Sequence, residues 1–131
     1  IVPDASAVDE LDLTRARPLT TTPKPRATLR LTFSSQSPVD VAENVALGRN
    51  PEAVGGRRPI QVRSPQRMLS RTHVLVDLDE HGRILVTDHG SGNGTESQTN
   101  PPRLFEAHVP YVLAPGTTLR LGDVICRIDL V

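Results

Sequence analysis

From Ala27 onward, apolar and polar residues alternate in short bursts. Leu29, Leu31 and Phe33 interleave with Thr28, Arg30 and Thr32. A period of two sends one set to a buried face and the other to water, which predicts a half-buried strand. Ser34 to Pro38 reads as a turn. Val39 and Val41, then Val45 and Leu47, predict two more short strands leading into Gly48-Arg49-Asn50. Pro51 to Gly56 reads as a loop, Ile60 and Val62 as a short strand, and Ser64-Pro65 as the start of another loop. Val74 to Leu78 predicts a strand, Asp79 to Gly82 a turn, and Arg83 to Thr87 its hairpin partner.

Asp88 to Thr95 is too rich in Gly, Ser and Asn for regular structure and predicts a shaped loop. Glu96 to Pro102 extends that loop over polar residues and two prolines. Val109 to Leu113, Thr118 to Leu121 and Val124 to Val131 predict the last three strands, with turns at Pro115-Gly116 and Gly122-Asp123. In the closing strand Val124, Cys126, Ile128 and Leu130 share one face. Many short strands, no helix of ordinary length and no internal repeat predict an antiparallel sandwich or barrel.

The first 25 residues break this pattern. An acidic patch (Asp4, Asp9, Glu10, Asp12) precedes Thr20-Thr21-Thr22-Pro23 and a second proline, Pro25. Proline removes backbone donors and the polar residues bury little, so an extended linker is expected over 1–25, with room for one helical turn near Val8 to Leu13. The folded domain is expected over 26–131. The chain opens on Ile1, not Met, and reads as a piece of a longer protein.

Composition narrows the function. A net charge of +0 gives no field favouring nucleic acid or an acidic membrane. Aromatics are 2% of the chain, too few for stacking on bases, sugars or flat cofactors. The single Cys126 excludes a disulfide frame and a CxxC metal site, and its apolar surroundings mark it as a small core residue. No apolar run approaches membrane-spanning length and no signal-peptide pattern is present, so a cytoplasmic domain is expected. No paired carboxylates, His/Cys metal spacing or Walker-type loop suggests an enzyme, a metal or a cofactor.

The chemistry lies in the loops. Leu47-Gly48-Arg49-Asn50, Leu69-Ser70-Arg71-Thr72-His73 and Asp88 to Thr95 place arginines, hydroxyls and asparagines on turns between strands. Arg49 and Arg71 offer guanidinium forks and Ser70 a hydroxyl, the donors that hold a phosphate. Each such charge-assisted bond is worth about 1.5–3 kcal/mol. Asn93, between Gly92 and Gly94, offers a donor and an acceptor to the main chain of an extended peptide. His73 reads as a packed structural histidine, Asp123 as a turn residue. Arg57, Arg58, Arg63 and Arg67 form a basic run that would either face solvent or attract acidic positions of a ligand.

Taken in order, Gly48-Arg49, Ser70-Arg71-Thr72-His73, Asp88-His89-Gly90-Ser91-Gly92-Asn93-Gly94-Thr95 and Leu121-Gly122-Asp123 resemble the forkhead-associated (FHA) domain over about residues 27–131. The resemblance implies a two-sheet antiparallel sandwich of about eleven short strands whose loops at one end recognise phosphothreonine in a partner protein. It implies phosphate contacts from Arg49 and Ser70, a further one from Arg71, and a peptide-backbone contact from Asn93 beside Gly92. Gly48, His73 and Gly94 would shape the loops. The family commonly has Ser-Thr-Asn-Gly-Thr where Ser91-Gly92-Asn93-Gly94-Thr95 stands, and leucine at the position of His89.

The expected function is phosphorylation-dependent protein–protein interaction in Ser/Thr-kinase signalling, with that kinase as upstream modifier. The alternative is an FHA-like structural or oligomerisation domain with weakened phosphate recognition, for which Gly92 is the best support. Thr14, after the acidic patch, and Thr21 and Thr22, before Pro23, are candidate phosphorylation sites. Modified there, the tail would become a tethered ligand for its own domain or another copy.

Overall fold

The computed structural model describes residues 27–131. Within them eleven strands run in order: β1 (Leu29–Phe33), β2 (Val39–Val41), β3 (Val45–Gly48), β4 (Arg58–Gln61), β5 (Val74–Leu78), β6 (Ile84–Asp88), β7 (Thr95–Ser97), β8 (Arg103–Leu104), β9 (Pro110–Leu113), β10 (Thr117–Leu121) and β11 (Val124–Leu130). One six-stranded sheet has the order β2-β1-β11-β10-β7-β8, and a five-stranded sheet the order β4-β3-β5-β6-β9. Of the two all-strand forms the hydrophobic pattern allowed, the chain takes the sandwich.

The alternation along β1 is reproduced in its burial: Leu29, Leu31 and Phe33 lie inside, Arg30 and Thr32 outside. β11 pairs with β1 in the register Leu31 opposite Ile128, and Val124, Cys126 and Ile128 face the same interior. From the other sheet Val45 and Leu47 of β3, Val74 and Val76 of β5, and Val86 of β6 meet them. Fully burying such a side chain is worth roughly 1.5–3 kcal/mol. Cys126 is buried as its sequence context implies, and burial pushes its thiol up to about 12.

Two expectations need correction. The sandwich is not wholly antiparallel: β3 and β4 pair in parallel, Val45 opposite Arg58 and Leu47 opposite Ile60. The connection between them passes through a single 3-10 turn at Val54–Gly56 and crosses from the end of the sheet where β3 finishes to the end where it began. Second, the stretch expected as one loop from Asp88 through Pro102 contains β7, whose Thr95 and Ser97 are buried, and it is followed by β8. Both strands are polar and very short, so no apolar alternation announced them. The threonines singled out in the tail, Thr14, Thr21 and Thr22, lie outside the described residues.

Candidate functional site

The site is built from the end of β3, the turn entering β5 and the loop between β6 and β7. Gly48 closes β3 against the backbone of the second segment. A Cβ built on Gly48 would lie 1.9 Å from the Arg71 carbonyl oxygen, so only glycine permits the approach. The contact is secured by the Arg49 amide donating to the Ser70 carbonyl at 3.0 Å and the Asn50 amide donating to the Arg71 carbonyl at 3.0 Å. The Arg49 guanidinium also donates through Nε to the Leu69 carbonyl at 3.2 Å. Among the described residues its two terminal nitrogens make no other bond.

His73 joins the second segment to the third. Its Nδ1 accepts from the Ser70 amide at 3.0 Å, and its Nε2 meets the Gly94 carbonyl at 2.8 Å. A backbone N–H on one side and a carbonyl on the other fix the neutral Nε2–H tautomer. The side chain is fully buried, and that burial holds its pKa below the ordinary 6.5, against the opposing pull of the Gly94 carbonyl and the Asp88 charge. Because the folded value is depressed, the stability His73 supplies is complete above the unfolded value and is lost as pH falls through the folded one. Thermal stability is therefore expected to decline as pH is lowered from about 6.5. Proton NMR is expected to show the His73 ring titrating below that pH. A ring titrating near the unperturbed value would contradict this account.

The third segment is braced by Asp88, a residue the sequence pattern left as the start of a loop. Its buried carboxylate accepts from the Ser91 amide and hydroxyl and from the Thr95 hydroxyl, the last at 2.7 Å. Burial alone would raise its pKa, but these bonds and the nearby His73 hold it below the ordinary carboxylate value. Gly94 adopts a φ of +82°, a left-handed conformation that glycine takes without strain. The spacing from Asp88 to Ser91 is the local signal for such a self-capped loop.

Ser70 Oγ accepts from the Gly92 amide at 2.9 Å, and Asn93 Nδ2 donates to the Met68 carbonyl at 2.8 Å. Arg49, Ser70, Gly92 and Asn93 thus belong to one connected rim. Arg71 is exposed on the same turn. Among the described residues neither Arg49 nor Arg71 forms an ion pair.

Asp123 proves to be more than a turn residue. Its carboxylate accepts from Ser64 Oγ and from the Gln66 amide, the latter at 2.7 Å, and so anchors the loop that ends at Ser70. Its partners are 57 and 59 residues away, out of reach of any local signal. The basic run divides: Arg57 makes a two-pronged pair with Asp77, both contacts at 2.7 Å, and Arg58 pairs with Glu43. Arg63 and Arg67 remain exposed.

An all-strand sandwich with a donor-rich loop rim at the end of β3 is the form of a binding module. The family profile described as the FHA domain matches residues 45–122, and the chain belongs to that family. No curated protein matches the chain. Among solved structures, the N-terminal FHA domain of S. cerevisiae Rad53p, determined with a phosphothreonine peptide, is 20% identical with a TM-score of 0.60, covering 79% of this chain and 94% of that one. The FHA domain of an Arabidopsis thaliana hypothetical protein is 22% identical with a TM-score of 0.60, covering 80% and 86%. The FhaA FHA domain, complexed with the intracellular domain of another protein, is 27% identical with a TM-score of 0.52, covering 79% and 99%.

Proposed function

We propose that this domain binds phosphothreonine peptides and so mediates protein–protein interaction downstream of a Ser/Thr kinase. What carries the proposal is the state of the Ser70 hydroxyl. One of its two lone pairs accepts from the Gly92 amide, and among the described residues its own proton meets no acceptor, so it can be donated outward. The terminal nitrogens of Arg49, unpaired among the described residues, lie on the same rim. Together they present fixed donors to an anion, with Arg71 as a further cation. Asn93, anchored through Nδ2, keeps Oδ1 to accept from the backbone of an extended peptide. Gly48, His73 and Gly94 hold these groups in place.

The glycine at position 92 is compatible with this function, because the contact it makes to Ser70 is through the backbone and needs no side chain. Titration calorimetry with a phosphothreonine peptide library tests the proposal. Roughly micromolar binding is expected, and none to the unphosphorylated peptides. Failure of every phosphothreonine peptide to bind would overturn it.

A gain is also expected at this position. A Cβ on Gly92 has only Ser70 Oγ within reach, at an ordinary 4.0 Å, and Gly92 is not among the positive-φ residues. Gly92→Ala is therefore expected to stabilise the domain by about 0.4–1 kcal/mol through loss of unfolded-state freedom. Chemical denaturation reads the difference, and a destabilised variant would contradict it.

A further inference from the structure

Beside the phosphate rim lies an open groove of about 870 Å³, walled by Gln36, Arg49, Gln61, Arg63, Ser64 and Arg67 among others. It shares Arg49 with the rim but not Ser70, Gly92 or Asn93. We infer that this groove is a second anion site, taking another acidic group, a carboxylate or a second phosphate, carried by the same phosphopeptide. The inference rests on the phosphothreonine proposal above.

The first observation is charge. Three arginines line the groove and no Asp or Glu does. Of the four arginines in the basic run, Arg57 and Arg58 are committed to Asp77 and Glu43. Among the described residues, Arg63 and Arg67 form no ion pair, and their hydrogen bonds run through their backbone amides. Asp123, bonded to the groove residue Ser64, already accepts from Ser64 Oγ and the Gln66 amide. Among the described residues the positive charge of the groove is therefore not compensated.

The second observation is that the groove is built. Gln36, from the turn after β1, accepts from the Arg63 amide at 2.7 Å and donates to the Gln61 carbonyl at 3.1 Å. Gln61 in turn donates to the Arg49 carbonyl at 3.2 Å, which ties the floor of the groove to the phosphate rim. Arg67 has a φ of +57°, a left-handed conformation costly for a long side chain. The turn is enforced by its amide bonding the Ser64 carbonyl at 3.0 Å and by Asp123 clamping the residues before it. A conformation of this kind persists where the surroundings impose it, and here it sets Arg67 on the wall of the groove.

A single inorganic anion would meet arginines on a wide surface and gain little. An anion delivered by a peptide already held at Ser70 arrives at high effective concentration. The groove would therefore act as a selectivity device, distinguishing acidic or doubly phosphorylated partners from those with one isolated phosphothreonine.

Calorimetry on the whole chain tests this with three peptides of one sequence. One carries phosphothreonine alone. One adds Glu, and one a second phosphothreonine, at each position in turn on either side. At the best position the second anion is expected to tighten binding about tenfold. The paired variant Arg63→Ala/Arg67→Ala is expected to erase that gain while binding the singly phosphorylated peptide within about twofold of wild type. A gain from phosphate but not Glu identifies the second group as a phosphate, and equal gains identify a site for acidic residues in general. If wild type binds the singly phosphorylated peptide and gains nothing from a second anion at any position, the groove inference falls alone. It also falls if the paired variant keeps the gain. If wild type binds no phosphothreonine peptide, the function proposed above fails first and the groove with it. Charge reversal, Arg63→Glu/Arg67→Glu, is expected to turn the gain into a penalty, a sign change that loss of folding would not produce.

Discussion

Arg49→Ala is expected to weaken binding of a phosphothreonine peptide by about a hundredfold or more while leaving the domain folded. The substitution removes the cation that the other rim donors flank. Two charge-assisted bonds from its terminal nitrogens, at about 1.5–3 kcal/mol each, account for that loss. The fold tolerates the change, because the guanidinium makes one side-chain bond within the described residues, to the Leu69 carbonyl, while the backbone bond from the Arg49 amide to Ser70 is kept. Arg49→Lys is expected to fall between the two, since an ammonium keeps the charge and loses the fork. Calorimetry paired with a thermal melt separates affinity from stability. Unchanged binding by a folded Arg49→Ala variant would remove Arg49 from the site.

Gly48→Ala is expected to be severely destabilising. The added carbon would sit 1.9 Å from the Arg71 carbonyl oxygen and 2.9 Å from the Thr72 Cα, both of them backbone atoms with no rotamer to escape into. Relief requires β3 to separate from the turn at Arg71. That movement breaks the amide bonds from Arg49 to Ser70 and from Asn50 to Arg71. A cost of about 3 kcal/mol or more is expected in urea denaturation, beyond ordinary overpacking. Whatever folded protein survives is expected to bind phosphopeptide poorly, because the separation pulls Arg49 from Ser70. A variant as stable as wild type would show that the two segments are not in contact.

The strands that carry alternating apolar residues were legible in the sequence. β1, β2, β5 and β11 fall within a residue or so of where Leu29 to Phe33, Val39 to Val41, Val74 to Leu78 and Val124 onward place them. What escaped were elements held by polar bonds across long separations. Thr95 and Ser97 are buried yet polar, so β7 has no hydrophobic signature. The parallel pairing of β3 and β4 depends on the course of the intervening loop, which no periodicity encodes. For the site, the spacing of Gly48-Arg49, Ser70 and Asn93 identified the groups that the fold joins on one rim. The props beneath them were less visible. Asp88 is near enough in sequence to Ser91 for its capping bond to be guessed, whereas Asp123 reaches Ser64 and Gln66 only once both sheets are formed. The division of the basic run into paired and unpaired arginines likewise required the positions of Glu43 and Asp77.

The sheet order has a kinetic consequence. β1 is hydrogen-bonded along its length to β11, with Leu29 opposite Leu130, so the first and last strands of the sandwich are interior neighbours. A contact spanning nearly the whole domain carries a large loop-closure entropy, and topologies dominated by such contacts fold in milliseconds to seconds. During synthesis β1 has no partner on that side until the ribosome has delivered Leu130. The domain therefore emerges as an unclosed sheet, and the sandwich can close only after its final strand is made.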